Sequence, residues 1–133
     1  MTDQIGAIID TSVFVAGEQG RPMRRITLPR VTAISVVTVA ELRLAVLNTG
    51  EPTQRALCLA TLERALRLSP VPIDEVIALQ WAFLRSAARG QGQHRINDLW
   101  IAATALALRV PVVTQDEGFL ALEKVGGPAV ILV

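Results

Sequence analysis

Cysteine, histidine and lysine each occur once, as Cys58, His94 and Lys124, and these scarcities exclude several chemistries at the outset. A single thiol can form no internal disulfide and no zinc cluster built on thiolates. Cys58 stands in a helical apolar stretch and reads as core packing. A single imidazole excludes a histidine-based zinc site. No apolar run approaches the roughly twenty residues that span a bilayer. The opening stretch MTDQIGAIID has neither a basic region nor an apolar region of signal-peptide length, so the chain is expected in the cytoplasm, with no membrane partner. Neither GxxxxGK(S/T) nor GxGxxG is present, which removes the familiar phosphate and dinucleotide loops.

What is there is a chain of 133 residues, 51% hydrophobic and only 19% charged, which fits one well-packed domain over residues 1–133. The net charge of +1 supplies no global field toward nucleic acid. Twelve of the thirteen cations are arginines. Arginine's planar fork suits phosphate, but genome codon bias gives the same excess.

Apolar runs at Gln4–Ile9, Val31–Ile34, Val71–Ile73, Val110–Thr114 and Ala129–Val133 read as strands. Pro72 marks the third as an edge or a strand end. Between them lie helical segments. Thr11 opens one that Gly17 and Gly20 should stop. Ser35 caps a second, running to about Asn48. Thr53 caps a third and Asp74 a fourth, the latter ending before Gly90 and Gly92. Asn97 opens a fifth, through Leu108, and Glu117–Lys124 forms a short sixth. The stretch from Gly20 to Arg30 is a loop or a short irregular helix. Strands alternating with helices, several of them uniformly apolar, call for a mostly parallel sheet of about five strands between helical layers.

In such sheets the functional crevice lies beyond the carboxyl ends of the strands. Asp10 ends the first strand, Asp116 lies just past Thr114, and Asp98 follows a loop at a helix start. Glu41 sits in a helix that is apolar nearly all round, Val36 to Leu47, and such a helix is expected to be buried. A buried carboxylate needs a cation or neutralises itself. Arg43 faces elsewhere on the helix, so the partner comes from another element or is a metal. The alternatives are an exposed Glu41 beside a polar stripe with Arg43, and for Asp98 plain capping together with Asn97. Carboxylates without histidine suit a hard divalent cation such as Mg²⁺ or Mn²⁺, and hence phosphoryl chemistry with a metal-activated water.

At these residues the chain resembles the PIN-domain family, in particular the VapC-type toxins of bacterial toxin–antitoxin pairs. Ile8-Ile9-Asp10-Thr11-Ser12 is similar to the family's opening strand and first acid, and Thr38-Val39-Ala40-Glu41-Leu42 to the helix carrying its glutamate. The run Asn97 to Ala105 resembles the helix with the third acid, and Val112-Val113-Thr114-Gln115-Asp116 the strand with the fourth, with Phe119 in the aromatic position that follows. The ordered set of four spans nearly the whole chain. Many relatives carry a further acid where this chain has Gly118, so the fourth corner rests on Asp116, with Glu117 as the substitute.

The resemblance implies a three-layer α/β/α sandwich and an Mg²⁺- or Mn²⁺-dependent endoribonuclease. It also implies a homodimer inhibited by a small cognate VapB-like antitoxin. By carry-over, Asp10, Glu41, Asp98 and Asp116 hold the metal and activate water. Thr11 or Ser12 and Thr114 supply hydroxyls around them, and Asn97 orients Asp98 or a metal-bound water. Arg21, Arg24, Arg25 and Arg30 in one loop, or Arg85, Arg89, His94 and Arg95 around another, could grip RNA phosphates. The second cluster is favoured, because it leads into Asp98, while solvated loops remain the alternative to both. Trp81, Trp100, Phe14, Phe83 and Phe119 are read as core.

Other classes fit less well. A haloacid-dehalogenase-like phosphatase wants Asp-x-Asp after its first strand, where Thr11-Ser12 follows Asp10, and a phospho-receiver wants a lysine after its last strand, where Lys124 precedes it. A PIN-like scaffold that binds RNA or protein and cuts weakly or not at all is the remaining rival.

Overall fold

The computed structural model describes residues 4–90 and 95–133. Among the described residues five strands form one sheet: β1 (Ala7–Ile9), β2 (Thr32–Ser35), β3 (Ser69–Val71), β4 (Val112–Thr114) and β5 (Val130–Leu132). All neighbours are parallel, in the order β3-β2-β1-β4-β5. The helices are α1 (Thr11–Gln19), α2 (Val36–Asn48), α3 (Pro52–Ala65), α4 (Glu75–Ala87), α5 (Ile96–Leu108) and α6 (Phe119–Lys124). Among the described residues no helix is long and apolar enough to cross a membrane.

Side chains alternate across the sheet and divide the core into two layers. Ile8, Ala33 and Val112 point into a cluster with Ile77, Leu84, Leu99 and Phe119 from α4, α5 and α6. Ala7, Ile9, Ile34 and Val113 point into the other, with Leu42, Val46, Cys58 and Leu62 from α2 and α3. Cys58 is therefore core, as expected. The uniformly apolar strands follow from this double coverage, and the architecture is the expected α/β/α sandwich.

The boundaries depart from expectation in instructive ways. Gly17 stays inside α1, and the helix ends at Gly20, whose φ of 69° is left-handed and closes the last turn. The cap of α3 is not Thr53 but Glu51, whose carboxylate accepts from the Thr53 and Gln54 backbone N–H groups, with Pro52 in the first turn. Strand β3 sits two residues earlier than Val71–Ile73, with Pro70 inside it. That placement is tolerated because β3 is the sheet's edge and pairs with β2 alone. Helix α5 starts at Ile96, one residue before Asn97, with no side-chain cap. The stretch 21–29 has no regular structure.

Not all the aromatics are core. Phe119 is buried, and Trp81 stacks on Trp100 with ring centroids 5.0 Å apart, but Phe83 is 47% exposed on α4. Accordingly Phe119→Ala should lower unfolding free energy by about 3–5 kcal/mol, read from urea denaturation. Phe83→Ala should cost clearly less, and equal losses would contradict the assignment of the two side chains.

Candidate active site

Strand β1 lies between β2 and β4, so the chain leaves it toward one side of the sheet and later returns on the other. A crevice opens at such a switch point beyond the strand ends. Here it is a cleft of about 510 Å³ lined by Asp10, Glu41, Asp98 and Asp116, with Thr11, Ser12, Gln115, Arg21 and Arg95 among its other walls.

Asp10 follows β1 and caps α1. It is 3% exposed, and its Oδ2 accepts from Ser12 Oγ at 2.6 Å, Thr114 Oγ1 at 2.8 Å and the Ser12 backbone N–H at 3.3 Å. The hydroxyls are themselves held from behind. The Gln115 N–H donates to Ser12 Oγ and the Asp116 N–H to Thr114 Oγ1. Burial pushes the Asp10 carboxyl above its ordinary pKa, and these hydrogen bonds pull back against it.

Glu41 requires a correction. Helix α2 is not buried all round: Leu44 is 54% and Leu47 69% exposed. Glu41 is half-buried, and its partner from another element is a hydroxyl, Thr11 Oγ1, which donates to Oε1 at 2.8 Å. An apolar composition marks a hidden helix face whether the core or a docked partner hides it, so it did not establish the burial inferred for Glu41.

Asp98 lies half-buried in the first turn of α5. Desolvation, then the negative charges of Asp10 and Asp116, with a smaller contribution from Glu41, raise its pKa to about 7 against the pull of Arg95. Asp116 follows β4, and its Oδ1 accepts from the Gly118 N–H at 2.8 Å. Its neighbour Glu117 is exposed and does not line the cleft, so Asp116 is the acid at this corner. A Cβ at position 118 would stand 3.0 Å from Asp116 Oδ1, which fits the glycine found there.

The other expected residues divide. Thr11, Ser12 and Thr114 touch the acids directly. Asn97 is exposed, and among the described residues no hydrogen bond joins it to Asp98. Arg85 and Arg89 are exposed away from the cleft, His94 lies outside the described residues, and the cleft instead takes one arginine from each cluster, Arg95 and Arg21. Two contributors went unnoticed in the sequence. Thr38 stands one turn before Glu41 on the same helix face, a spacing that could have flagged it. Gln115, whose side-chain amide ties the Pro22 and Val133 carbonyls together, gave no such signal.

Four carboxylates and several hydroxyls form an all-oxygen donor set, the kind that hard divalent cations accept. Among the described residues, however, no three acids are already grouped as metal ligands. The fit to a divalent cation is therefore one of donor chemistry and charge. The repulsion from Asp10 and Asp116 that adds to desolvation in raising Asp98 is what a bound cation relieves.

Comparison with known proteins bears on the family and the fold. The PIN domain family model matches residues 7–125. The chain is 42% identical over 133 residues to Ribonuclease VapC5 of Mycobacterium tuberculosis, covering 99% of this chain and 98% of that one. It is 40% identical over 120 residues to Ribonuclease VapC4 of the same organism, covering 90% and 92%. The fold is similar to the crystal structure of VapBC-5, a member of the VapBC family of toxin-antitoxin systems, also from Mycobacterium tuberculosis. There the TM-score is 0.82 at 40% identity, with 96% of this chain and 97% of that one covered.

The Asp98 shift gives a signed pH dependence for the metal-free protein. Its native pKa of about 7 lies above the ordinary 3.8, so the native state binds the proton more tightly than the unfolded chain. The corresponding stability is fully present below the ordinary value and is lost as pH rises to about 7. Thermal melting without divalent cations should show this fall, and Asp98→Asn should flatten it. A wild-type curve that rises across the same interval would refute the assignment.

Proposed function

The chain belongs to the PIN-domain family, and from that membership together with its acidic cleft we propose that it is a metal-dependent endoribonuclease, the toxin of a VapBC-type pair. A single PIN domain then spans residues 1–133 and acts in the cytoplasm, where its RNA substrate is. The observation that carries this reading is the convergence of Asp10, Glu41, Asp98 and Asp116, from four different segments, on one cleft at the switch point of the sheet. The names of VapC5 and VapC4 as ribonucleases support the RNA substrate.

In this reading the four acids hold Mg²⁺ or Mn²⁺. The ion, when bound, supplies Lewis acidity and activates water for attack at phosphorus. The protein's own part is placement. Ser12 and Thr114 fix Asp10, Thr11 fixes Glu41, and Asp116 is turned by its own bond to Gly118. Arg21 and Arg95 on the cleft walls bind phosphates of the RNA strand, since a guanidinium can pair two phosphate oxygens at once. The partners are a VapB-like antitoxin and a second copy of the chain. The antitoxin is supported by the neighbouring toxin–antitoxin structure, and large apolar side chains left exposed on α2, α3 and α4, among them Leu44, Leu47, Leu57 and Leu79, leave surface for either partner.

Purified protein should cleave total RNA with Mg²⁺ or Mn²⁺ and stop on chelation. Asp10→Asn and Asp98→Asn should each slow cleavage by at least about a hundredfold, the upper end of what losing even a supporting residue costs. Equal activity in wild type and both variants would sink the proposal. Growth arrest retained by Asp10→Asn would favour a binding scaffold instead.

RNA affinity, measured in the Asp98→Asn background, should weaken with Arg21→Ala and with Arg95→Ala. Each should lower the slope of log K against log salt by about 0.7, the value for one phosphate contact on a single strand. Arg85→Ala, away from the cleft, should leave the slope unchanged. A larger effect from Arg85 would move the RNA path to the outer face of α4.

A further inference from the structure

Thr38 is wholly buried in the first turn of α2, one turn ahead of Glu41. Its Oγ1 lies 2.9 Å from Thr11 Oγ1, and Thr11 Oγ1 lies 2.8 Å from Glu41 Oε1. Counting protons fixes the direction of this chain. An ionised carboxylate only accepts, so the single hydroxyl proton of Thr11 goes to Glu41. The proton between the two threonines therefore comes from Thr38. Among the other buried helical threonines, Thr104 donates back to the carbonyl of Trp100, four residues earlier, whereas Thr61 Oγ1 lies 2.8 Å from Glu18 Oε1 on α1 and 3.0 Å from the Leu57 carbonyl. Thr38 directs its hydroxyl across to the start of α1, as Thr61 does to the end of that helix.

The same construction stands behind Asp10, where Ser12 and Thr114 each donate to the acid and each accept a backbone N–H from behind. Each hydroxyl that touches these two acids is thus held by a second donor, and for Glu41 that donor is Thr38. A hydroxyl without such a donor could rotate among several acceptors. One with it has a single low-energy orientation, and successive bonds in the chain polarise one another.

We infer that Thr38 is a positioning residue that acts through Thr11 to hold Glu41 by Oε1, leaving Oε2 as the oxygen offered to a divalent cation. This rests on the metal-dependent reading above. It assigns a part in the site to a buried threonine that does not itself line the cleft.

The test is Mn²⁺ binding by the purified full-length chain, measured by titration calorimetry without RNA, with thermal melting as the check on folding. Thr38→Val keeps the shape and removes the hydroxyl, whereas Thr38→Ser keeps the hydroxyl. Thr38→Val should weaken Mn²⁺ binding by about tenfold, the low end for loss of a supporting hydrogen bond, while Thr38→Ser stays close to wild type. In a Thr11→Val background, Thr38→Val should add nothing, because the chain is already broken.

Wild-type affinity in Thr38→Val would overturn the inference, as would a Thr38→Ser variant as weak as Thr38→Val, or losses that add in the double variant. If Thr38→Val does not fold, Thr11→Val decides: unchanged Mn²⁺ binding there dismisses the relay, and a loss that Thr11→Ser restores supports it. A wild-type protein that binds no Mn²⁺ would instead remove the metal-dependent reading itself, a result distinct from all of these.

Discussion

Asp10 Oδ2 accepts hydrogen bonds from two neighbouring hydroxyls that come from different elements, Ser12 in α1 and Thr114 at the end of β4. Each hydroxyl accepts a backbone N–H in turn, from Gln115 and Asp116. This closed set of bonds fastens β1, α1 and the β4 turn to one carboxylate at the switch point of the sheet. Without it a nearly fully buried acid would carry a desolvation cost of several kcal/mol. With it, the acid stays at the floor of the cleft, and the turn bearing Asp116 is held in register beside it. The remaining acids are arranged around this fixed point.

The cleft is nonetheless electrostatically incomplete. Asp98 feels Asp10, Asp116 and Glu41, and Arg95 offsets only part of that. A protein selected for stability alone would replace one of these acids or pair it, and the cost of leaving them together is characteristic of a site that binds something positive. The arrangement also separates two tasks. Hydroxyls and backbone amides set where the acids point, whereas the net negative charge sets what they attract.

Much of this was visible in the chain before folding. The uniformly apolar runs around Ile8 and Val112 indicated strands covered on both faces, and the positions of Asp10 and Asp116 just past two such runs put them on one rim. The strand and cap positions were less legible, because local chemistry competes. Glu51 with Pro52 caps α3 better than Thr53 does, and edge position lets Pro70 enter β3. The arginine clusters could not be sorted from sequence either. Which of them faces the acids depends on how the stretch 21–29 returns over the sheet end, where the Gln115 side chain ties down the Pro22 carbonyl.

Glu41 carries the sharpest lesson. Its helix is apolar on two faces, and hydropathy alone merges them into one buried cylinder. In the folded chain Thr38, Leu42 and Val46 face inward while Leu44 and Leu47 face solvent. Solvated leucines on an otherwise well-packed surface have a physical reason when a partner covers them. On the proposed reading the same helix therefore serves two surfaces, its inner turn orienting a metal-binding carboxylate and its outer turn meeting a protein partner. Glu41 lies between those surfaces, half-buried, so a partner seated on Leu44 and Leu47 would press on the element that positions it.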